Sequence, residues 1–497
     1  MSELYRSAIV IITVSYFTYW VIKQALPDFI TEKEFKRWRL LLLLILCSAF
    51  LSHSIWVLNG IMLVLFSLLI PSSPKVRVIY YLLLVSLLPL SSVEIPGFAG
   101  IRYIFTLNYT RFLTLLLLLA VLIKHKTNIP LFRFKTDYFI VFYVLLLCVS
   151  TFRDNTFTNG LRVSFMALLD ILIPYLVLSR HLDNENQLNK AILALLTSLA
   201  PLALLGSFET LKHWHVYNPL KHSLAGRVNL YDMRQGALRA SGITGTPIIL
   251  GYIMMIGLGL LIYLKPLIKR QLYFYLAGIA LISTLLSTMA RGPWVGFAAM
   301  CYAYMWTGRE GIKRITLWTV SVISLAPLLT LTPIGEKFIE LLPFIGKSVT
   351  STVDYRKRLF EQSWIVFKRH PWFGSTTFLE TPEMESMRQG QGIIDLVNTF
   401  IAIALPYGLV GLSLFWAIFL GLLWRCYFLI KRIPAGNADL IRMGRALFAI
   451  LVGILITIAT VSPIDYIPVF YWTFAGIIAA YVHVAENTIK QHRTALL

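Results

Sequence analysis

Charge is scarce in this sequence. Only 14% of its 497 residues are charged, whereas 57% are hydrophobic. A soluble protein would have to bury all of this apolar sequence, yet a single core stops growing at about 250–300 residues. The apolar residues also form many runs about as long as a bilayer crossing requires. The composition therefore excludes a soluble enzyme and predicts an all-α polytopic integral membrane protein.

Cysteine and histidine are scarce as well. The four cysteines, Cys47, Cys148, Cys301 and Cys426, are isolated, and at least three lie inside apolar runs, so neither a disulfide framework nor a cysteine metal cluster is indicated. His213 and His215 flank a tryptophan, which is typical of an interfacial belt, and no acid or cysteine follows them at ligand spacing. We therefore predict no metal.

The charge that is present is mostly positive. The formal net charge is +21, but Lys and Arg cluster in short loops between apolar runs, which is the signature of cytoplasmic loops rather than of a nucleic-acid-binding surface. We therefore predict no nucleic-acid partner. The basic clusters lie at Lys23 to Arg39, Lys75 and Arg77, Lys124 to Lys135, Lys265 to Arg270, Arg309 to Arg314, and Lys431 to Arg445.

Hydropathy and loop charge together predict the organisation of the chain, with about 12 to 15 transmembrane helices. The start of the chain lacks a basic leader, so we expect its apolar run to be a retained first span. Two long polar stretches face the side opposite the basic loops, which is the periplasm in a bacterium with an outer membrane. The predicted segments are N-terminal transmembrane helices over 1–210, a periplasmic loop over 211–245, central transmembrane helices over 246–332, a large periplasmic loop with short helices over 333–395, and C-terminal transmembrane helices over 396–497. Candidate spans lie at 5–25, 39–54, 56–71, 76–92, 109–124, 136–152, 161–180, 190–210, 246–264, 272–290, 292–307, 314–332, 396–430, 441–462 and 464–485.

Arginines recur at predicted membrane boundaries on the outer side. They are Arg239, Arg291, and the pair Arg356 and Arg358. A guanidinium is always charged and offers a fork of donors that matches phosphate oxygens. Any one of them could snorkel or pair with a local acid. Three such sites on one face favour an anionic lipid headgroup as the ligand.

Several other charged residues are weaker candidates. Arg162, Arg227 and Arg234 lie near the same side of the membrane. Asp170 lies inside a predicted span, where an acid needs a partner that the sequence does not identify. Glu209 lies where a span meets the outer loop, and it is equally compatible with a solvated helix end and with a site acid.

The large outer loop contains a predicted helix and a polar approach to the next span. Asp354 can cap the helix, and Pro371 ends it. His370, at the end of that helix, is either a base or a residue that caps the helix or stacks on Trp372. Further along, Asp395 and Asn398 are three residues apart, so a helix beginning there would carry both on one face.

The order of these motifs resembles the O-antigen ligase and Wzy-type polymerase superfamily of bacterial surface polysaccharide assembly. The resemblance runs from about Arg239 to Phe419. It consists of four motifs. The first two are Arg239-Ala-Ser-Gly followed by Gly245-Thr-Pro, and the turn Ala290-Arg291-Gly292. The last two are the helix from Arg356 to Phe367 followed by His370-Pro371-Trp372-Phe373-Gly374, and Asn398-Thr399-Phe400 followed by Gly408-Leu-Val-Gly411.

The resemblance implies a GT-C-like, all-helical glycosyltransferase of the bacterial inner membrane whose active site faces the periplasm. It also implies that the enzyme works without a metal, a nucleotide sugar or any other cofactor. Its donor is an oligosaccharide on undecaprenyl pyrophosphate, and its acceptor is a second carrier-linked unit in polymerases or lipid A core in ligases. A chain-length regulator is an optional partner. The family's pyrophosphate-binding arginines map by motif onto Arg239, Arg291 and Arg356.

One position departs from the ligase pattern. Ligases of this family typically carry a His directly before the Asn of the closing motif, where this chain has Val397. Asp395 is then the nearest carboxylate that could serve as the base, and the local pattern resembles the exopolysaccharide polymerase branch. We therefore expect a polysaccharide polymerase, with a ligase and a transporter of lipid-linked saccharide as the alternatives. A transporter should carry charges through mid-membrane and repeated halves, and no such repeat is visible.

Overall fold

The structure, a computed structural model, describes residues 2–98, 100–124, 130, 132–154, 156–225, 228–234, 236–330, 350–389 and 392–496. Most of these residues are helical. The α-helices are α1 (Glu3–Gln24), α2 (Glu32–Leu51), α3 (Ile55–Leu69), α4 (Pro74–Leu84), α5 (Tyr109–Leu113), α6 (Ala120–Lys124), α7 (Lys135–Asp154), α8 (Phe157–Ala167), α9 (Ile173–His181), α10 (Glu185–Lys212), α11 (Asn218–Ala225), α12 (Pro247–Leu264), α13 (Gln271–Ser287), α14 (Arg291–Trp306), α15 (Gly311–Thr330), α16 (Thr350–Arg369), α17 (Pro382–Glu385), α18 (Thr399–Arg432), α19 (Ala438–Ile458) and α20 (Tyr466–Leu496).

Short elements complete the described chain, among them the 3₁₀ helices Gly242–Thr244, Lys265–Leu267 and Phe378–Glu380. Two π-helical stretches, Thr114–Leu119 and Leu168–Leu172, join α5 to α6 and α8 to α9. Strand β1 (Ser92–Pro96) pairs antiparallel with β2 (Tyr103–Asn108), and β3 (Met233–Arg234) pairs antiparallel with β4 (Ala237–Leu238).

Eight helical segments among the described residues are long and apolar enough to cross a bilayer. Their lengths of 19 to 34 residues match the roughly 20 residues that a hydrocarbon core requires. This confirms the predicted class, an all-α polytopic membrane protein, while the total number of crossings stays a prediction. The eight segments are Glu3–Gln24, Lys135–Arg153, Phe157–His181, Glu185–Lys212, Pro247–Leu267, Thr399–Arg432, Ala438–Ile458 and Tyr466–Ala495, and Ile55–Leu69 and Gln271–Ser287 are shorter apolar helices.

The predicted span at 76–92 is only partly helical. Helix α4 ends at Leu84, and the chain reaches the β1–β2 hairpin after Pro89. A proline disfavours helical geometry in the residue before it. Hydropathy alone cannot distinguish a helix from an apolar connection to a strand, so the predicted span was too long.

Helix α18 is broken near its outer end. Its 34 residues would extend about 51 Å, well beyond a hydrocarbon core of about 30 Å. The helix path breaks at Gly408, whose φ is 64° and ψ is −162°. The Pro371–Gly374 turn fits into this break, where the carbonyl oxygens of Pro371 and Trp372 accept hydrogen bonds of 2.7 and 3.1 Å from the backbone amides of Leu409 and Val410. The break therefore anchors the large outer loop to a membrane helix.

Helices α14 and α19 approach each other closely at their outer ends. Gly292 faces Thr460, and Gly296 faces Thr457 and the carbonyl of Gly453. A side chain at either glycine would collide with these atoms, as is usual where small residues let two membrane helices pack backbone to backbone. This packing fixes the position of Arg291 at the start of α14.

Gly408→Ala should destabilise the protein. A Cβ at this position would collide with the backbone of Trp372, and the positive φ alone costs a non-glycine residue about 1–3 kcal/mol. We expect a lower thermal unfolding midpoint of the detergent-purified protein, followed by tryptophan fluorescence. Gly421→Ala in the same helix is the control, since a Cβ there would meet only Thr136 Cγ2 at 3.5 Å. Equal midpoints for the two variants would contradict this account of the break.

Candidate functional site

Four arginines from three separate parts of the chain lie together on one face of the protein. This arginine cluster consists of Arg234, Arg239, Arg291 and Arg356. It lies at the helix ends opposite the basic loops, a side that we call the outer face. Here the structure brings together the three predicted boundary sites, with Arg234 added to them.

The segment around β3 and β4 holds the turn that precedes Arg291. Arg239 Nε donates to the carbonyl of Thr288 over 3.0 Å, and Arg234 Nη1 donates to the carbonyl of Met289 over 2.9 Å. Met289 has a φ of 48°, an unusual backbone for a residue with a side chain. The two arginines thus stabilise a strained turn that presents Arg291.

Arg239 is already paired with an acid. Its side chain is 9% exposed, and Nη1 forms an ion pair with Asp232. Burial lowers the pKa of Arg239, Asp232 opposes this, and the charge of Arg234 lowers the pKa further. Of the three arginines predicted to bind an anion, Arg239 is therefore placed to organise the site.

Arg291 and Arg356 lie close enough for their charges to interact. Burial lowers the pKa of Arg291, and the nearby charges of Arg234 and Arg356 lower it further. Burial also lowers the pKa of Arg356, while the charge of Asp395 acts in the opposite direction. Like charges held this close favour an anion between them.

Arg356 is held at the outer end of α19. Its Nη2 donates to the carbonyl of Thr460 over 3.2 Å, whereas its Nε is buried and has no hydrogen-bond partner among the described residues. A buried guanidinium donor without an acceptor is costly. The arrangement leaves this arginine able to accept an additional oxygen ligand.

Asp395 is held by the connection between α19 and α20. Its Oδ1 accepts hydrogen bonds from the Ser462 hydroxyl and, over 3.2 Å, from the Val397 amide. Its carbonyl accepts a hydrogen bond of 2.9 Å from the Tyr355 hydroxyl. Within the described part of the chain, Oδ2 accepts no hydrogen bond. Oδ2 can therefore accept a hydrogen bond from a ligand.

The prediction that Asp395 and Asn398 share a helical face is wrong. Residues 392–398 are not helical, and Val397 has a φ of 41°. Asn398 is the N-cap of α18, since its side-chain oxygen accepts from the amides of Phe400 and Ile401 over 2.8 and 3.3 Å. The side chain of Asn398, which we also expect to contact substrate, thus begins the helix.

The remaining predicted residues of the large loop lie apart from the cluster. His370 is exposed at the far end of α16, about 20 Å along the helix axis from Arg356. Pro371 ends the helix as predicted. Arg358 is exposed on α16. The side chain of Val397 packs against a small core that includes Leu359, so no base reaches the cluster from this position.

Arg162 and Asp170 form contacts with β2 and with Arg111, away from the arginine cluster. Arg162 donates to the carbonyls of Tyr103 and Ile104, over 2.7 and 3.1 Å, and clamps strand β2. Asp170, whose partner the sequence did not reveal, forms a bidentate ion pair with Arg111 over 2.7 to 3.1 Å. Neither residue lies in the arginine cluster. Arg227 lies outside the described residues.

Glu209 is a fully buried acid that holds the first outer loop. Its carboxylate accepts from the amides of Val216, Ser241 and Gly242 over 2.9 to 3.1 Å. It also pairs with His215 Nδ1 over 3.1 Å. Glu209 is therefore not a solvated helix end. It fixes the residues that directly follow Arg239.

Sequence reasoning missed the connection between α19 and α20. Three successive residues there each hold part of the site: the carbonyl of Thr460 accepts from Arg356, the carbonyl of Val461 accepts from the Thr399 hydroxyl over 2.7 Å, and the Ser462 hydroxyl holds Asp395. We call Thr460–Ser462 the outer turn. The only signal in the sequence is the polar Ala-Thr-Val-Ser-Pro stretch between two apolar runs.

A second missed residue is Lys221, on α11. It is 8% exposed, and its Nζ donates to Asn229 Oδ1 over 2.5 Å. Burial lowers the pKa of Lys221 to about 8, although the charges of Glu209 and Asp465 raise it.

No group of three or more metal-ligating side chains occurs among the residues that the structure describes.

Lys221 should make stability depend on pH. Because the folded protein binds this proton less tightly than the unfolded chain does, the charged lysine opposes folding below about pH 8. Relative to Lys221→Met, the free energy of unfolding of the wild type should therefore rise by roughly 3 kcal/mol between pH 8 and 10.5. Thermal unfolding across this range should show that the wild type and exposed Lys212→Met gain this stability relative to Lys221→Met. Buried tyrosines such as Tyr217, whose pKa burial raises, lower the stability of all three proteins above about pH 10. Parallel curves for the wild type and Lys221→Met would overturn the assignment.

The model of the O-antigen ligase family matches residues 276–416. The match extends from α13 into α18 and includes Arg291, Arg356 and Asp395. A search of curated proteins finds no match to the chain. The family match confirms the superfamily predicted from sequence and supports a glycan-transferring enzyme that acts in a membrane. The chain therefore carries an O-antigen ligase family domain over residues 276–416.

Proposed function

We propose that this protein polymerises oligosaccharide repeat units linked to undecaprenyl pyrophosphate. The product is an exopolysaccharide or O-antigen chain, and the reaction is a metal-independent glycosyl transfer in a GT-C-like fold at the periplasmic face of the bacterial inner membrane. The observation that carries the proposal is the meeting of Arg291 and Arg356 beside Asp395, at the outer ends of membrane helices and within the family match.

The arginines are suited to the donor pyrophosphate. Arg291 and Arg356 would contact its oxygens, Arg234 would add positive charge, and Arg239 would fix the turn that carries Arg291. As the bond between the sugar C1 and the phosphate oxygen breaks, negative charge grows on the pyrophosphate. Positioned guanidinium groups stabilise that charge, usually the largest contribution in such sites.

A cavity within the membrane-spanning helices is suited to the lipid tail. It has a volume of about 470 Å³, and apolar side chains of α1, α10, α12 and α13 line most of it. Helix α13 connects the cavity to the site, because Ser283 lines the cavity and Ser287 and Thr288, about one turn further, accept hydrogen bonds from the segment containing Arg239. A polyprenyl chain could therefore lie in the cavity while its pyrophosphate reaches the cluster.

Asp395 would serve as the base. Its Oδ2 takes the proton of the acceptor hydroxyl, the hydroxyl oxygen forms the new bond to C1, and the bond from C1 to the pyrophosphate oxygen breaks with inversion. The proton ends on the carboxylate, and the electron pair leaves with the carrier. Ser462 holds Oδ1 and so leaves Oδ2 directed to the substrate.

The environment of Val397 favours a polymerase over a ligase. Its side chain packs into the small apolar core rather than into the arginine cluster, so the base characteristic of ligases has no counterpart here. The acceptor would accordingly be a second carrier-linked unit, with a chain-length regulator as an optional partner. A transporter of lipid-linked saccharide would share the arginines and the cavity, and the next experiment distinguishes it.

Arg291→Ala should block polymerisation. Losing one charge-assisted hydrogen bond costs about 1.5–3 kcal/mol, so long-chain polymer should fall by tenfold or more. The variant would complement a chromosomal deletion of the gene, and lipid-linked single units would be separated from long chains. We expect single units to accumulate on the carrier at the periplasmic side.

Arg309→Ala is the matched control for this experiment. It removes the same charge from an exposed position just past the opposite end of α14, and it should leave polymer yield unchanged. Long chains retained on the carrier in Arg291→Ala would indicate a ligase instead. Units trapped on the cytoplasmic side would indicate a transporter.

Asp395→Asn should retain the hydrogen bonds to Oδ1 but remove the base. General-base catalysis contributes about 10²–10⁴-fold, so polymer formation in complemented cells should fall within that range. Asp354→Asn makes the same chemical change at an exposed position of α16 and should be silent. Polymer of wild-type length and yield in Asp395→Asn would remove Asp395 from the mechanism.

A further inference from the structure

Helix α16 is amphipathic, and one of its apolar faces has no protein partner. Leu359 and Val366 are 0% and 3% exposed, because they pack into a small core with α17 and the first part of α18. On other sides of the helix, Phe360, Trp364 and Ile365 are 59%, 49% and 43% exposed. Large apolar side chains of this kind are unfavourable to leave in water.

The exposed face continues into the turn after the helix. Trp372 and Phe373 are 64% and 55% exposed. We call Phe360, Trp364, Trp372 and Phe373 the aromatic face. Lys368 extends over it, with Nζ 5.4 Å from the ring of Trp364. An exposed patch of aromatic side chains edged by lysine is typical of a binding surface.

The C-terminal end of α16 lies at the edge of the hydrocarbon core. From Leu409 to Arg432, helix α18 is about 36 Å long, enough to cross a core of about 30 Å. The break at Gly408 therefore lies at the outer boundary of the membrane. Since Pro371 and Trp372 hydrogen-bond to the first residues after this break, the turn lies at the same depth.

The N-terminal half of α16 is held at a similar depth. Helix α19 is 21 residues and so about 31 Å long, and it also spans the core. Thr460 follows two residues after its last residue, and its carbonyl accepts a hydrogen bond from Arg356. Arg356 and Pro371 are about 22 Å apart along the axis of α16. A helix fixed at the boundary at both points must lie along the membrane surface.

We propose that α16 and the Pro371–Gly374 turn form an interfacial helix, with the aromatic face embedded in the headgroup region of the outer leaflet. Tryptophan and phenylalanine favour this region, and lysine reaches from it to water. The consequence for the site is direct, because Arg356 on the same helix lies at the level of lipid phosphates. A lipid-linked phosphate could reach Arg356 without leaving the membrane. The inference does not rest on the reaction proposed above.

A glycan chain stacked on the aromatic rings is the competing occupant. The hydrogen bonds of Arg356 and of the Pro371–Gly374 turn favour lipid, because they place the aromatic face at the outer boundary of the membrane rather than above it. A face embedded in lipid would be shielded from water, whereas a face that binds a glycan would be open to water when no glycan is present.

Spin-label accessibility in liposomes would test the proposal on the full chain. The four cysteines would be replaced, and a nitroxide would be attached at Trp364→Cys or Phe360→Cys. A label at Ser386→Cys, exposed on the outer loop, is the aqueous control, and one at Leu420→Cys, 50% exposed in the middle of α18, is the lipid control. Collision of the nitroxide with oxygen reports its exposure to lipid, and collision with a soluble nickel chelate reports its exposure to water.

We expect labels on the aromatic face to show a severalfold higher ratio of oxygen to nickel accessibility than the label at Ser386. A ratio equal to that at Ser386 would overturn the proposal. Nickel accessibility that falls only when purified polysaccharide is added would also overturn it, in favour of a glycan surface.

A second measurement avoids cysteine substitution. Brominated lipids quench nearby tryptophans, so they should quench the wild-type protein in nanodiscs more than Trp364→Phe/Trp372→Phe. The double variant keeps the apolar face and the fold. Equal quenching of the two proteins would contradict the interfacial position.

Discussion

The outer turn, Thr460–Ser462, is the constraint on which the candidate site depends. Its carbonyls and hydroxyl hold Arg356 on α16, Thr399 at the start of α18, and Asp395 in the approach to that helix. The same turn packs against Gly292, next to Arg291. These contacts hold Asp395, Arg291 and Arg356 close to one another.

Electrostatic repulsion among the four arginines explains how the candidate site is built. Four arginines at the edge of a membrane repel one another and are poorly solvated. Asp232 and the backbone carbonyls of the turn before Arg291 compensate Arg239 and Arg234. Arg291 and Arg356 lie beside them, and an anion bound there would reduce the repulsion among the four charges.

The two outer loops are attached to the membrane helices by different means. The first depends on a buried carboxylate, Glu209, which satisfies several backbone amides at once. The second depends on backbone hydrogen bonds at the break in α18, where only glycine fits. Both attachments lie at the outer ends of spanning helices, so the loops share a rigid base.

The sequence by itself determined the membrane class and identified the arginine sites, because apolar run length and boundary charge are local properties that the bilayer acts on directly. The superfamily also followed from ordered motifs. The pairing of Arg239 with Asp232, the partner of Asp170 and the role of the outer turn were decided by tertiary structure, because they depend on contacts between residues far apart in the chain. Asp395 and Asn398 show why spacing misleads: three residues imply a shared face only inside a helix, and the side chain of Asn398 begins the helix one residue later. Only the packed helix ends place a carboxylate, two arginines and a membrane boundary at one location.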